Sequence, residues 1–337
     1  MNPATCLTFL AIAAVGSIAP IAAQNRGVRV PAPRQAAPSE PRSQTLTLHN
    51  PYTSGTFSAE LLLPARPRPI AGVVLVTGSG AREQQALRTL SQYLAQRAYA
   101  VMILPPVPAS GASENDNLDA VAALHALEMR PDLHGAHVGL VGYGEGVRLA
   151  AIAASEGSSA AFLVLLGGAV VADRLNTVPD TLARGTLPRD EAVRSLRRVR
   201  SPVLIVMGEY DRQGTHRTAA ENSEALRSAL DAGRHENYTI KVLGDADYLL
   251  ADTGAGGTGQ SSTAMPPVSV WRTTGDWMDA QIRALEPTAG SDAADNGQHK
   301  PTRLYPKSIY GPFNFHPWYI WQPAIGDQTR PYGFWYW

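Results

Sequence analysis

The stretch Val138-Gly139-Leu140-Val141-Gly142-Tyr143-Gly144-Glu145-Gly146-Val147-Arg148 decides the fold of this chain. Its first half is apolar and typical of a buried strand, and its second half continues into the spacing of a helix. Alternating glycines join the two halves, which predicts a sharp turn where backbone segments pack closely. The centre of the turn is Gly144, where a glycine avoids the steric cost of a positive φ. The stretch therefore predicts a strand that turns directly into a helix, with no side chain at its tip.

Charge, cysteine content and loop composition exclude several classes of function. The 29 basic and 29 acidic side chains balance and are scattered, which argues against nucleic-acid binding. The only cysteine, Cys6, lies in the N-terminal apolar segment, so a processed chain has no disulfide, zinc finger or catalytic thiol. His134 and His137 have no further ligands at metal-binding spacing, and residues 253–259 lack the Lys-Ser/Thr ending of a phosphate loop. We expect no cofactor and no metal.

The N-terminal segment from Ala4 to Ala23 is almost wholly apolar or small. The Ala22-Ala23-Gln24 junction suits signal cleavage, although no Lys or Arg precedes the apolar run. An uncleaved anchor is the alternative, because the run is long enough to span a bilayer and the arginines that follow it would favour a cytoplasmic body. We expect residues 1–24 to be the signal peptide or membrane anchor of an exported, periplasmic and membrane-associated protein.

The rest of the chain divides by composition and periodicity. Residues 25–44 are rich in Pro, Ala and Arg, which predicts a flexible tether. From 45 to 285, strand-like runs alternate with helical spacing, and this predicts an α/β domain with a mostly parallel sheet flanked by helices on both faces. Asp116 or Asn117 is expected to cap one of these helices. The strand-like runs are 46–48, 57–63, 73–76, 101–104, 138–143, 162–166, 203–207 and 238–243, the first two as an antiparallel edge pair.

Four local motifs resemble the α/β-hydrolase fold, in the style of exported esterases of the dienelactone-hydrolase-like branch. Thr77-Gly78-Ser79-Gly80 is similar to the oxyanion loop, with Gly78, Ser79 and Gly80 in its place, and 142–146 matches the nucleophile elbow. Residues 207–211 resemble the turn that delivers the catalytic acid, here Asp211. Residues 243–250 resemble the segment that delivers the histidine, here Tyr248. The order along the chain is the order that such hydrolases use.

Two of the three catalytic positions depart from this family. Gly144 has no oxygen to attack a carbonyl, and Tyr248 is a phenol, which is a poor general base near neutral pH. We therefore interpret Gly144, Asp211 and Tyr248 as vestigial triad positions and Gly78, Ser79 and Gly80 as a vestigial oxyanion loop. Glu145, at the start of a helix, and His216 are interpreted as structural rather than as bases.

Residues 303–337 follow a linker at 286–302 and carry half of the 6 Trp, 12 Tyr and 6 Phe in the chain, together with five prolines. Such a segment would expose a large apolar area, so we expect it to dock on a partner or a membrane surface, or to wrap back onto its own domain. The predicted docking residues are Tyr310, Phe313, Phe315, Trp318, Tyr319, Trp321, Tyr332, Phe334, Trp335, Tyr336 and Trp337.

These observations favour a catalytically inactive hydrolase-like subunit, a pseudoenzyme that docks through its aromatic tail on a protein complex, expected to be membrane-embedded. One alternative is an exported ester or acyl hydrolase with a relocated nucleophile, for which Ser79 is the displaced candidate. Another is a small-ligand-binding module that uses the cleft above Gly144.

Overall fold

The computed structural model describes residues 40–65, 71–108, 112–133, 137–156, 160–168, 191–211, 218–254 and 265–285. All of them belong to one unit within residues 38–337. The predicted signal segment, the linker, the aromatic tail, His134 and His216 lie outside the described residues. No helix in the described ranges is long and apolar enough to cross a membrane.

Eight strands form one sheet in the described part of the chain. Their order across the sheet is β1-β2-β4-β3-β5-β6-β7-β8. β2 pairs antiparallel with β1 and β4, and every other neighbouring pair is parallel. The strands are β1 (Arg42–His49), β2 (Thr56–Leu63), β3 (Ala71–Thr77), β4 (Tyr99–Ile103), β5 (Val138–Tyr143), β6 (Leu163–Leu166), β7 (Val203–Gly208) and β8 (Tyr238–Leu243).

Helices cover both faces of this sheet. α1 and α6 pack on one face, where Leu90, Leu94 and Trp271 are buried against the sheet. The other four helices pack on the opposite face around Leu124 and Leu196. Because both faces are covered, β3, β5, β6 and β7 are buried at every residue and read as continuous apolar runs. The helices are α1 (Ala81–Gln96), α2 (Glu114–Glu128), α3 (Gly146–Ser155), α4 (Glu191–Leu196), α5 (Ala219–Ala232) and α6 (Val268–Leu285).

The predicted fold class is confirmed, and the strand-like runs correspond to the eight strands. The predicted cap of α2 is wrong. Ser113 is the capping residue: its hydroxyl accepts the backbone N–H of Asp116, and the Asp116 carboxylate accepts the Ser113 N–H in return. Asp116 therefore belongs to the first turn, where a carboxylate also meets the positive end of the helix dipole. β1 begins at Arg42, within the segment predicted as a tether.

Candidate functional site

The elbow between β5 and α3 has the sharp geometry that its glycines predict. Gly144 has φ of +57°, a conformation that side chains other than glycine rarely adopt. A Cβ on Gly142 would lie 2.6 Å from Val147 Cα, and one on Gly146 would lie 2.6 Å from the Thr77 backbone nitrogen. The two outer glycines thus let α3 pack directly on its own strand and on β3.

The carboxyl of Glu83 occupies the space above the central glycine. Its Oε1 accepts the backbone N–H of Glu145 at 3.1 Å. A Cβ on Gly144 would be 2.8 Å from Glu83 Cδ and would collide with Oε1, while a Cβ on Gly78 would collide with Oε2. Glu83 is the third residue of α1 and only 4 % exposed. A carboxylate oxygen from a different helix therefore sits where a side chain at position 144 would begin.

The surroundings of Glu83 favour its protonated form. Burial raises the pKa of this carboxyl above its usual range, and the nearby carboxylate of Glu145 raises it further. Hydrogen bonds from the backbone N–H groups of Glu145 and Gly80 act in the opposite direction, but the balance remains a raised pKa. A carboxyl with a raised pKa is a stronger base when it is ionised, which suits proton transfer near neutral pH.

The loop after β8 reaches the elbow through its backbone and through Asp247. The buried Tyr143 donates its hydroxyl to Leu249 O at 2.7 Å. Gly168 N donates to Tyr248 O at 2.7 Å, and a Cβ on Gly168 would collide with Gly144 O. These contacts hold the loop carrying Tyr248 against the turn at Gly144.

An ion pair ties the same loop to the start of α1. Arg82 Nη2 lies 2.8 Å from Asp247 Oδ2, and Asp247 Oδ1 accepts the N–H groups of Leu249 and Ala251, both at 2.9 Å. Asp247 thus organises its own loop through one carboxylate oxygen and binds Arg82, the residue before Glu83, through the other. The two predicted motifs at 77–80 and 243–250 therefore meet at the elbow.

The phenol of Tyr248 is half-buried next to this cluster. Burial raises its pKa above the usual value, and the negative charge of Glu83 adds to the effect. Tyr248 therefore keeps its proton over the physiological range and can donate a hydrogen bond, as expected for a residue that is not a base.

Asp211 lies in the turn just after β7, is 4 % exposed, and donates its backbone N–H to Gly208 O at 3.3 Å. A Cβ on Gly208 would collide with the Asp247 carbonyl, so this turn packs against the Tyr248 loop. The structure thus brings the turn that carries the buried Asp211 next to the loop that carries Tyr248.

The remaining predicted residues contribute backbone rather than reactive side chains. Ser79 is exposed and Gly80 is the capping residue of α1, with an extended backbone at φ of −63°. Glu145 is exposed and immediately precedes α3, without a side-chain capping hydrogen bond. No group of three or more His, Cys, Asp or Glu in the described ranges is arranged to hold a metal ion. A groove of about 410 Å³ lies elsewhere, between β8 and α6.

Comparison with known proteins supports this architecture. No family model matches the chain, and no curated protein matches it. The esterase domain of a Rhodothermus marinus protein is 19 % identical with a TM-score of 0.50, over 72 % of this chain and 99 % of that one. A dienelactone hydrolase-like promiscuous phosphotriesterase from metagenomic libraries is 16 % identical with a TM-score of 0.52, over 73 % of this chain and 99 % of that one. Est1E from Butyrivibrio proteoclasticus is 13 % identical with a TM-score of 0.52, over 71 % of this chain and 99 % of that one. The chain has the α/β-hydrolase fold.

The prediction of a catalytically inactive interaction subunit is wrong, and so is the prediction that the chain is not an enzyme. The solved structures that share this α/β-hydrolase fold include esterases and a phosphotriesterase, and they favour the hydrolase alternative. The prediction equated the absence of a side-chain oxygen at Gly144 with the absence of chemistry. In the structure, an oxygen of Glu83 fills that place.

Sequence reasoning missed Glu83, although one signal was present. Glu83 follows the loop Thr77-Gly78-Ser79-Gly80 by three residues, at the third position of the helix that begins there. A Glu at this position commonly reaches back to the residues before its helix. The same rule predicts that the Glu83 carboxyl lies over the loop at 77–80.

Proposed function

We propose that the chain is a hydrolase of esters or related acyl compounds in which the Glu83 carboxyl replaces a nucleophile at the elbow. Gly144 and Tyr248 then stand where related esterases carry serine and histidine. The observation that carries the proposal is the position of Glu83 Oε1, which fills the space of a side chain at 144 while accepting the Glu145 N–H at 3.1 Å.

In this proposal Glu83 acts as a general base on water. The ionised carboxyl takes a proton from a water molecule as the water oxygen bonds to the acyl carbon. The tetrahedral intermediate then collapses, the bond to the leaving alkoxide breaks, and the protonated carboxyl returns its proton to that oxygen. Burial supports both steps because it brings the pKa of Glu83 closer to neutral pH.

Tyr248 supplies the second polar group of the proposed site. Its pKa is raised by burial and by Glu83, so the phenol remains a donor. A neutral donor beside the base stabilises negative charge that develops on the acyl oxygen. Arg82 and Asp247 position this phenol, since their ion pair fixes the loop relative to α1.

Turnover of an activated aryl ester by the purified full chain tests the proposal. We expect Glu83→Gln to lower kcat/KM by about 100-fold or more, the usual contribution of a positioned base. Glu221→Gln is the matched control. Like Glu83, Glu221 is the third residue of its helix. Its carboxylate accepts the backbone N–H of the capping residue Thr218 at 2.8 Å, but it lies on α5. Equal rates for the wild type and Glu83→Gln would refute the role of Glu83.

A serine-directed phosphonate separates this mechanism from a displaced serine nucleophile. A mechanism with water as the nucleophile predicts no labelling and an unchanged rate for Ser79→Ala. Labelling that disappears in Ser79→Ala would instead identify Ser79 as the nucleophile. In the described part of the chain, the Ser79 hydroxyl makes no hydrogen bond to a histidine or carboxylate, which favours the first outcome.

The pH dependence of the reaction provides a third test. A base acts in its ionised form, so kcat/KM should rise with pH through the raised pKa of Glu83. This increase in kcat/KM should occur at a pH above 4.5, the usual pKa of a glutamate. Glu83→Gln should show no such rise.

We also propose that the enzyme is exported. The apolar run from Ala4 to Ala23 and the Ala22-Ala23-Gln24 junction support cleavage by a signal peptidase. N-terminal sequencing of the protein from its native source tests this, and a mature chain that starts at Met1 would contradict it.

A further inference from the structure

The edge of the sheet at β8 is open on one side within the described residues. β8 pairs with β7 alone, and none of its six residues is buried. Leu243 O accepts Glu209 N and Asn237 O accepts Val203 N, so the odd-numbered residues face β7. Because alternate residues of a parallel strand bond to opposite sides, the N–H groups of Tyr238, Ile240 and Val242 face the open edge.

Apolar side chains are concentrated at this edge. The groove of about 410 Å³ lies between β8 and the start of α6. Most of its lining residues are apolar, and the polar ones are Lys241, Asp252, Ser269 and Thr273. Four large hydrophobic residues in the described ranges are strongly exposed: Met129, Val242, Val268 and Leu285. Val242 lines the groove, and Val268, which is 69 % exposed, lies between the lining residues Pro267 and Ser269. Open apolar strand edges pair with other chains unless something covers them.

The opposite edge of the sheet needs no such cover. β1 begins with Arg42, Ser43, Gln44 and Thr45, all exposed and polar. Polar and charged side chains are a common protection of edge strands. β8 has fewer such side chains, and beside its exposed Lys241 it carries the exposed and apolar Val242.

We propose that residues 332–337 of the same chain add to β8 as a further strand and place their aromatic rings over the groove. This segment, Tyr-Gly-Phe-Trp-Tyr-Trp, has no proline, matches the six residues of β8 in length and consists almost entirely of residues favoured in strands. Strand addition gives affinity through main-chain hydrogen bonds and specificity through side chains that enter adjacent pockets.

The length of the intervening chain permits this return. From Val270 at the groove, α6 carries the chain about 22 Å away to Leu285, at 1.5 Å per residue. Residues 286–331, treated as a random coil, have a root-mean-square end-to-end distance of about 37 Å. The span is therefore within reach, and attachment to the same chain gives the segment a high effective concentration at β8. This inference is independent of the proposed hydrolase activity.

Residue-level amide hydrogen exchange on the purified full chain tests the proposal. We expect the amides of Ile240 and Val242 to exchange at least tenfold faster after deletion of residues 332–337. The amides of β1, at the other edge, are the internal control and should not change. Trp335→Ala with Trp337→Ala in the full-length chain should act in the same direction and avoids any effect of shortening.

A second pair of variants tests the edge itself. Val242→Lys should accelerate exchange at Ile240, whereas Met129→Lys, an equally exposed position at the end of α2, should not. Slow exchange at Ile240 and Val242 that survives the deletion would overturn the proposal. So would protection that is lost on tenfold dilution, which would indicate a second copy, or protection that requires added membrane extract, which would indicate another partner.

Discussion

The flanks of the elbow and its centre are built from the same residue type but are constrained by different neighbours. Gly142 and Gly146 are pressed against backbone atoms and Ala150, whereas Gly144 is pressed against the carboxyl of one side chain, Glu83. Backbone atoms of a strand and helix cannot move without disturbing the fold, but a side chain can be exchanged. The flanks therefore determine the architecture, and the centre leaves room for the carboxyl of Glu83.

Gly146→Ala should have the largest effect, because its new methyl group would collide with the Val76 carbonyl and lie 2.6 Å from Thr77 N. We expect the free energy of unfolding to fall by about 3 kcal/mol, at the upper end of overpacking effects. Gly254→Ala is the control for positive φ without steric contact, since Gly254 has φ of +74° and nothing within 4 Å of its Cβ position. It should lose only about 1 kcal/mol. Equal losses in urea unfolding would show that steric contact at the elbow is unimportant.

Gly144→Ser should lower the free energy of unfolding by about 2 kcal/mol, from positive φ and the collision with Glu83 together. Glu83→Ala removes the second cause, so the double variant should be more stable than the sum of the single losses predicts. A double-mutant cycle should give a coupling of about 1 kcal/mol between positions 83 and 144. A cycle that combines Glu83→Ala with Gly254→Ser should give no coupling. Additivity at 83 and 144 would contradict the idea that the two positions share one space.

Tyr143→Phe should destabilise the protein by about 1 kcal/mol, because it leaves the carbonyl of Leu249 without the hydroxyl that bonds to it at 2.7 Å. The loop that carries Tyr248 should then open more easily. Amide exchange at Ala251 reports this opening, and Tyr52→Phe, which removes a hydroxyl on the other face of the sheet, is the comparison. Unchanged exchange at Ala251 would mean that the Tyr143 hydroxyl does not contribute to holding the loop.

The smallest expected effect is a change in the pH dependence of stability. The pKa of Glu83 is raised in the folded state, so the folded chain binds its proton more tightly than the unfolded chain. The resulting stabilisation is complete below the usual pKa of 4.5 and is lost as pH rises through the raised value. Glu83→Gln should lack this loss, so its stability relative to the wild type should increase with pH. A constant difference across that window would argue against a raised pKa.

The sheet and its helices could be predicted from the sequence because strands that are buried on both faces are continuous apolar runs. β3, β5 and β7 are apolar without interruption, and the turns between them carry glycines. The contact between Glu83 and the elbow is signalled locally only by the third position of Glu83 in α1. Glu83 bonds to Glu145, 62 residues further along the chain, and only the assembled sheet brings α1 to the elbow. The motifs predict Tyr248 as a site residue, and the role proposed for it depends on Glu83, which they do not include.

The shared space at positions 83 and 144 also restricts which substitutions this chain can accept. A serine that arises at 144 while Glu83 is present meets an occupied position, and a chain that loses Glu83 first passes through a form with neither oxygen at the elbow. The first step is disfavoured by stability, and under the proposed mechanism the second is disfavoured by activity. A serine at position 144 therefore requires a compensating substitution at position 83.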